Sequence, residues 1–123
     1  MRKQLGVVPH LPLMHSGFAA TVGGDKDRLY VVTHNGLDEQ REKVAAPDAP
    51  SLVCLEKATG KLVWKDNSPG KDILEHQISS PLVVEIQGKP QVVVGQGDGW
   101  LRSFDAATGK LIWKCDLNEK DAV

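Results

Sequence analysis

Histidines and cysteines are the side chains of this 123-residue sequence best suited to bind a metal ion or to act as nucleophiles. Zinc sites and redox centres place such residues at fixed spacings, as in H-E-x-x-H, C-x-x-C or the zinc-finger patterns. The sequence has none of these spacings, so we expect loop histidines with ordinary hydrogen bonds, and the redox state of the cysteines stays open. The residues concerned are His10, His15, His34, His76, Cys54 and Cys115.

The serines and glycines lack the context of a catalytic nucleophile or a phosphate-binding loop. Neither Ser16 nor the Ser79-Ser80 pair lies in a G-x-S-x-G elbow. The glycine-rich segment GQGDG at 95–99 leads into another predicted strand, whereas a phosphate loop leads into a helix N-terminus. Asp98, which stands between two of those glycines, is typical of a turn. We therefore predict no catalytic residue from these motifs.

The composition describes an ordinary folded domain with no bias toward nucleic acid or membrane. Hydrophobic residues make up 41% and charged residues 25% of the chain, and 15 Lys+Arg are balanced by 16 Asp+Glu. Because so neutral a chain lacks a basic surface for a phosphate backbone, nucleic acid is not an expected partner. No run approaches the ~18 apolar residues of a membrane span. Pro9 and Pro12 interrupt the N-terminal apolar stretch, which is therefore no convincing signal peptide.

An internal repeat organises the chain. The segment SLVCLEKATGKLVWK at 51–65 matches WLRSFDAATGKLIWK at 100–114, and more than half of the aligned positions are identical, including a tryptophan. Upstream, LYVVTHNG at 29–36 resembles PQVVVGQG at 90–97, but with a larger offset. The first copy therefore carries about a dozen extra residues within 37–50, a charged and proline-containing segment that we expect to be a surface loop.

Each copy of the repeat predicts four short strands. Runs of Val, Ile, Leu and aromatic residues alternate with Gly, Asn, Asp and Pro, as in β-strands joined by tight turns. One segment, 38–46, has a weak helical pattern with a thin apolar face. The predicted strands are 18–22, 29–33, 52–55 and 61–65 in the first copy, and 82–86, 91–94, 100–104 and 110–114 in the second.

Four-stranded antiparallel units that recur at this spacing are blades of a β-propeller. We therefore predict an all-β fold of two four-stranded antiparallel blades. Two blades make an incomplete propeller, because closed propellers have about four to eight. The predicted organisation is a tail or linker from a preceding blade at 1–17, a blade at 18–66 with the inserted loop 37–50, a second blade at 67–117 and a tail at 118–123.

The same turn joins the third and fourth strands of both copies. An acidic residue at its start can accept backbone N–H bonds, its threonine supplies a hydroxyl, and its glycine can adopt positive φ. The tryptophan that follows offers a broad apolar surface and an indole N–H, so we predict that it anchors one blade to the next. The residues of this predicted structural motif are Glu56, Thr59, Gly60, Trp64, Asp105, Thr108, Gly109 and Trp113.

The segment SFDAATGKLIW at 103–113 resembles the tryptophan-docking motif A-x-D-x-x-T-G-x-x-x-W of pyrroloquinoline-quinone (PQQ)-type propeller repeats. Ser103 stands where the motif has Ala, and the first copy departs from it at Cys54 and Glu56. The resemblance covers about 18–117. It extends to planctomycete-type propeller proteins and to the superfamily of the outer-membrane barrel-assembly lipoprotein, and it implies a periplasmic or other extracytoplasmic location.

The resemblance leaves two functions open. One is a non-catalytic binding or scaffold module, which we favour. The alternative is a fragment of a PQQ-dependent dehydrogenase, in which the resemblance implies a quinone and a calcium ion held by Glu, Asn and Asp, with a catalytic Asp beside them. No segment matches those calcium-binding or catalytic stretches, and Glu75, Glu85 and Asp98 are only arbitrary candidates. We therefore expect no cofactor in this chain, and PQQ and calcium ligands would lie outside it.

The predicted topology gives a candidate binding rim. In a four-stranded meander, alternate connections lie on the same edge, which places the insertion 37–50 and the linker between blades together and the Thr-Gly turns opposite. Expected partners are other blades of a longer chain, or further copies in a homo-oligomer, together with a possible protein partner. The candidate rim residues are His34, Asn35, Asn67, His76 and Gln77.

Overall fold

The computed structural model describes residues 22–74 and 79–118, and it contains two four-stranded antiparallel sheets. The strands are β1 Gly23–Gly24, β2 Arg28–Val32, β3 Leu52–Glu56, β4 Leu62–Asp66, β5 Leu82–Ile86, β6 Lys89–Gly95, β7 Trp100–Asp105 and β8 Leu111–Asp116. In each sheet the strands are ordered as in the chain, β1-β2-β3-β4 and β5-β6-β7-β8. Within the described residues the one helix is a 3-10 turn at Gly70–Asp72, and no helix there could cross a membrane.

The predicted all-β fold of two antiparallel blades is confirmed, and the two blades form an open arrangement. Strands β2 to β8 overlap the stretches predicted from the repeat, with ends that differ by at most two residues. The turn between β5 and β6 is the expected tight hairpin, because Ile86 pairs with Lys89 and the two residues between them, Gln87 and Gly88, both have positive φ.

The first strand differs from its prediction. It was expected at 18–22, but β1 is Gly23–Gly24; Val22 lies outside it, and 18–21 lie outside the described residues. Gly23 pairs with Tyr30 of β2, and a Cβ at Gly23 would lie 2.8 Å from the Pro81 carbonyl oxygen. The close approach of the Pro81 backbone requires glycine, which sequence patterns associate with turns rather than strands.

The weak helical pattern at 38–46 does not correspond to a helix. This part of the insertion consists of turns and bends, closed by an isolated antiparallel bridge between Leu37 and Val44. The Asp38 carboxylate accepts a hydrogen bond from the Glu42 backbone N–H at 2.9 Å, and the Asp38 N–H donates to the Lys43 carbonyl. Aspartate bonded to nearby backbone groups in this way stabilises a turn at the expense of a helix.

The hydrophobic core lies between the two sheets. Cross-strand pairing places Tyr30, Cys54 and Trp64 on one face of the first blade, in register with Gly23. The Trp64 ring lies 5.9 Å from the ring of Tyr30 and 6.1 Å from that of Phe104, between centroids. The core residues are Tyr30, Leu52, Cys54, Trp64, Val92, Val94, Phe104 and Ala106.

Candidate functional site

Trp64 joins the first blade to the second. Its indole Nε1–H donates a hydrogen bond of 2.9 Å to the carbonyl oxygen of Ala106, in the turn between β7 and β8. The Tyr30 hydroxyl oxygen lies 3.3 Å from the same carbonyl, as a second polar contact beside the indole. Ala106 is fully buried, so its carbonyl accepts the indole N–H without competition from water.

Gly109 forms the floor of the Trp64 site. Its φ is +76°, and a Cβ at this position would lie 2.5 Å from Cδ2 of the Trp64 ring. Any side chain here would therefore be strained by the backbone and would also collide with the indole. The glycine of the Thr-Gly turn is required both for the conformation of its own chain and for contact with the adjacent blade.

Asp105 stabilises the turn 105–109 that contacts Trp64, which we call the receiving turn. Its Oδ1 accepts hydrogen bonds from the backbone N–H groups of Ala107 at 2.9 Å and Thr108 at 3.0 Å. Burial acts to raise the pKa of Asp105, but these two bonds and the positive charge of Lys89 outweigh it, so the pKa lies below the ordinary value of 3.8. The ionised carboxylate is thus the form that fits the turn.

A second carboxylate supports Tyr30 on the first blade. Oδ2 of Asp25 accepts a hydrogen bond of 2.7 Å from the Tyr30 hydroxyl, and its Oδ1 caps the backbone N–H of Arg28. Burial, followed by the Asp25 carboxylate, raises the pKa of Tyr30 well above 10, so the hydroxyl remains a donor. Burial also raises the pKa of the Cys54 thiol to about 11, which keeps this core cysteine neutral and unreactive.

A buried polar network links the blades at the opposite rim. The Gln96 side chain donates to Asp66 of β4 at 2.9 Å and accepts from Arg102 at 2.7 Å. Arg102 forms a bidentate pair with Asp98, with N···O distances of 2.9 and 2.7 Å. Asp98 therefore forms a turn, as its sequence context indicates, and it also neutralises a buried guanidinium, which the sequence did not reveal.

The first blade repeats the receiving turn without an occupant among the described residues. Gly60 has φ +73°, and its N–H donates to the Glu56 carbonyl at 2.8 Å, just as Gly109 donates to Asp105. No heavy atom of the residues that the structure describes lies within 4 Å of a Cβ built on Gly60. The Glu56 side chain is exposed and, within the part of the chain that the structure describes, caps no backbone N–H.

Trp113 occupies the position in the second blade that Trp64 has in the first. Cross-strand pairing places it in one row with Leu82, Val93 and Ser103, the counterpart of the row from Gly23 to Trp64. We call this side of the second blade the open face, because Trp113 and Leu82 at the two ends of the row are exposed, although Ser103 between them is buried. Trp113 is 38% exposed and Leu82 is 59% exposed, so the expected burial of Trp113 against an adjacent blade is not found. The reason is geometric, since the described chain places no sheet on that side.

A family model described as outer membrane protein assembly factor BamB matches residues 4–123. The chain belongs to this family. Quinoprotein alcohol dehydrogenase PedE from Pseudomonas putida (strain KT2440) is 39% identical over 67 residues, which cover 52% of this chain and 9% of that protein. The crystal structure of BamB from Moraxella catarrhalis matches with a TM-score of 0.44 and 12% identity, covering 87% of this chain and 38% of that one. The chain thus spans less than half the length of either protein.

In this BamB-family chain, two of the predicted rim residues hold the insertion in place. The Asn35 side chain is 2% exposed and donates to the carbonyl oxygens of Ala46 and Ala49 at 3.0 and 3.3 Å. Asn67 is exposed and donates to the Pro47 carbonyl at 2.9 Å. These amides are therefore already bonded to the loop between β2 and β3.

The remaining candidates are spread over the blades. His34 has φ +63° and is half-buried at the corner that precedes Asn35, while His76 and Gln77 lie outside the described residues, as does Glu75. Glu85 is exposed on β5. Across 22–74 and 79–118, no three His, Cys, Asp or Glu side chains are grouped so that they could hold a metal.

Proposed function

We propose that this chain is a non-catalytic binding or scaffold segment of a PQQ-type β-propeller, and that its open face docks a further β-sheet. The observation that carries the proposal is the exposed indole of Trp113, set in the same cross-strand row as the docked Trp64. A large aromatic residue that is held on a rigid sheet and left 38% exposed is a natural anchor for a partner surface.

The contacts of Trp64 define what such a partner must offer. Its indole needs an acceptor carbonyl, which Ala106 supplies, and a close backbone approach, which Gly109 allows. A Thr-Gly turn at the edge of a β-blade meets both needs. Leu82, at the opposite end of the row, adds exposed apolar area for a sheet that covers the face.

The alternative function is a segment of a PQQ-dependent dehydrogenase. It is favoured by the 39% identity to the quinoprotein alcohol dehydrogenase PedE over 67 residues. In such a protein the residues described here would support the ring of blades, and the quinone and calcium ligands would come from elsewhere. An extracytoplasmic location, which we also propose, suits both functions.

Supplying a third blade tests the docking function. We would append a second copy of residues 67–118 after Asn118, so that its Thr-Gly turn can receive Trp113 as Gly109 receives Trp64. The fusion is expected to unfold at a higher temperature than the two-blade chain because the open face becomes buried. Trp113→Ala should abolish that gain, whereas Ile112→Ala should keep it, because Ile112 is 47% exposed but, at the bulge in β8, is not part of the cross-strand row that contains Trp113.

A failure of the appended blade to raise the unfolding temperature, or an equal loss in both variants, would contradict the docking function. A separate experiment tests whether this chain itself holds a cofactor. PQQ and calcium chloride together should leave the unfolding temperature of the chain unchanged, and a rise that requires both would contradict the non-catalytic function.

A further inference from the structure

We propose that the open face of one chain docks on the Thr59-Gly60 turn of a second copy, so that this chain associates head to tail. The inference rests on the proposed docking function and names the partner. It follows from matched groups within 22–74 and 79–118: these residues contain one occupied pair, Trp64 with Gly109, together with an exposed indole at Trp113 and an open turn at Gly60.

The open turn has the geometry of the occupied one. Gly60 and Gly109 have φ values of +73° and +76°, and each donates a 2.8 Å hydrogen bond to the residue that starts its turn. The Thr59 hydroxyl accepts the Lys61 N–H at 3.2 Å, and the corresponding bond in the second blade is 3.3 Å. The carbonyl of Lys57 stands where Ala106 receives the Trp64 indole.

The given sequence shows which of its own indoles is free to bind at Gly60. The chain has three tryptophans, and residues 1–21 contain none. Trp64 already contacts Gly109. Trp100 lies beside Arg102, and its ring is covered by the Lys114 ammonium, 4.9 Å from the ring centroid. Trp113 of another copy is therefore the indole that this chain supplies for the open turn.

The association is expected to be weaker than the docking within one chain. Phe104 lies beside the Trp64 ring, and its counterpart in the first blade is Leu55, which is only 7% exposed. Trp113 would thus gain less apolar contact at the Gly60 turn than Trp64 has at Gly109. Since donor and acceptor are different surfaces, the contact is heterologous, and it forms either a closed ring or a growing filament. Three or four copies would supply about six or eight blades, within the range of closed propellers.

Sedimentation velocity on the complete 123-residue chain over a wide concentration range tests the inference. We expect species heavier than the 13.4 kDa monomer that grow with concentration. Trp113→Ala should abolish the association, so that only monomer remains. Ile112→Ala should associate as the wild-type chain does. Gly60→Ala should weaken association, whereas Gly88→Ala should not, because both glycines have positive φ and open space but only Gly60 belongs to the receiving turn.

Mixing two complementary variants fixes the direction of the contact. Trp113→Ala keeps the open turn, and Gly60→Val keeps the exposed indole, so each is expected to be monomeric alone and to form a one-to-one complex when mixed. Far-UV circular dichroism establishes that both are folded. A wild-type chain that stays monomeric at every concentration, or association that survives Trp113→Ala, would overturn the inference. If the chain is monomeric while the appended third blade still docks, only the inference fails and the proposed function stands.

Discussion

The Trp64 indole lies so close over Gly109 that a single Cβ on the glycine would reach 2.5 Å from the ring. This contact and the hydrogen bond to Ala106 define how two blades of this chain fit together. The same elements recur at Gly60 and Trp113, where each lacks its complement in the described chain. The structure therefore shows both an occupied and an open form of one docking site.

Gly109→Ala should destabilise the chain more than the same change at Gly60 or Gly88. All three glycines have similar positive φ, so each substitution carries a comparable backbone strain of about 1 kcal/mol. Only at Gly109 does the added methyl meet the indole, which adds an overpacking cost of about 1–3 kcal/mol. Urea denaturation of the three variants measures the difference, and equal midpoints would show that the glycine does not serve Trp64.

Trp64→Ala and Trp113→Ala should differ strongly in the free energy of unfolding. Trp64 is 8% exposed and bonded to Ala106, so its truncation should cost about 3–5 kcal/mol. Trp113 is exposed, and its truncation should cost under about 1 kcal/mol at concentrations where the chain is monomeric. A Trp113 variant as unstable as the Trp64 variant would mean that its indole is buried after all.

The acid side of the stability profile should depend on Asp105. Because its pKa is lowered in the folded chain, the ionised carboxylate contributes stability above the ordinary value of 3.8, and that contribution is lost as the pH falls through the folded pKa. Asp105→Asn should therefore flatten the decline in unfolding free energy on acidification. Asp25, whose pKa is also lowered, remains in that variant and retains part of the slope. An unchanged profile would contradict the capping role of Asp105.

Glu56→Asp should stabilise the first blade. A shorter carboxylate at this position can reach the backbone N–H groups of the turn, as Asp105 reaches those of Ala107 and Thr108. The expected gain is about 0.5–1 kcal/mol. The reverse change, Asp105→Glu, should cost a similar amount, and Glu56→Gln should be neutral. Thermal unfolding of the three variants would refute the idea if Glu56→Asp and Glu56→Gln behaved alike.

The second blade folds without an insertion, but the insertion 37–50 should contribute to the stability of the first blade. Asn35→Ala would leave the carbonyl of the buried Ala49 without its side-chain donor, at a cost of about 1–3 kcal/mol, and would leave the Ala46 carbonyl with the Ala49 N–H alone. Asn67→Ala removes an exposed bond to Pro47 and should cost under about 0.5 kcal/mol. For the same reason, deletion of 39–47 should destabilise the first blade. Equal effects of the two substitutions on the urea midpoint would show that the buried Asn35 side chain does not stabilise the loop.

The repeat predicts most of the fold because strand, turn and tryptophan recur in register, so local patterns and the tertiary structure agree. It fails at β1, because glycine is a residue type that sequence patterns associate with turns. Gly23 is nevertheless in a strand, where the Pro81 backbone of the next blade leaves no room for a Cβ. It also fails at the network from Asp66 to Arg102, because the bond from Gln96 to Asp66 joins residues 30 positions apart in the chain. The exposure of Trp113 could not be foreseen from its similarity to Trp64, because burial depends on the sheet opposite and not on the residue.

The most direct test of the docking face is hydrogen exchange at the three indole N–H groups, followed by NMR. In the monomeric chain the Trp64 indole proton should be protected by its bond to Ala106, and the Trp113 proton should exchange rapidly. In the fusion with the third blade, the Trp113 proton should become as protected as that of Trp64. Rapid exchange of Trp113 in a folded three-blade chain would contradict the claim that its face docks a blade.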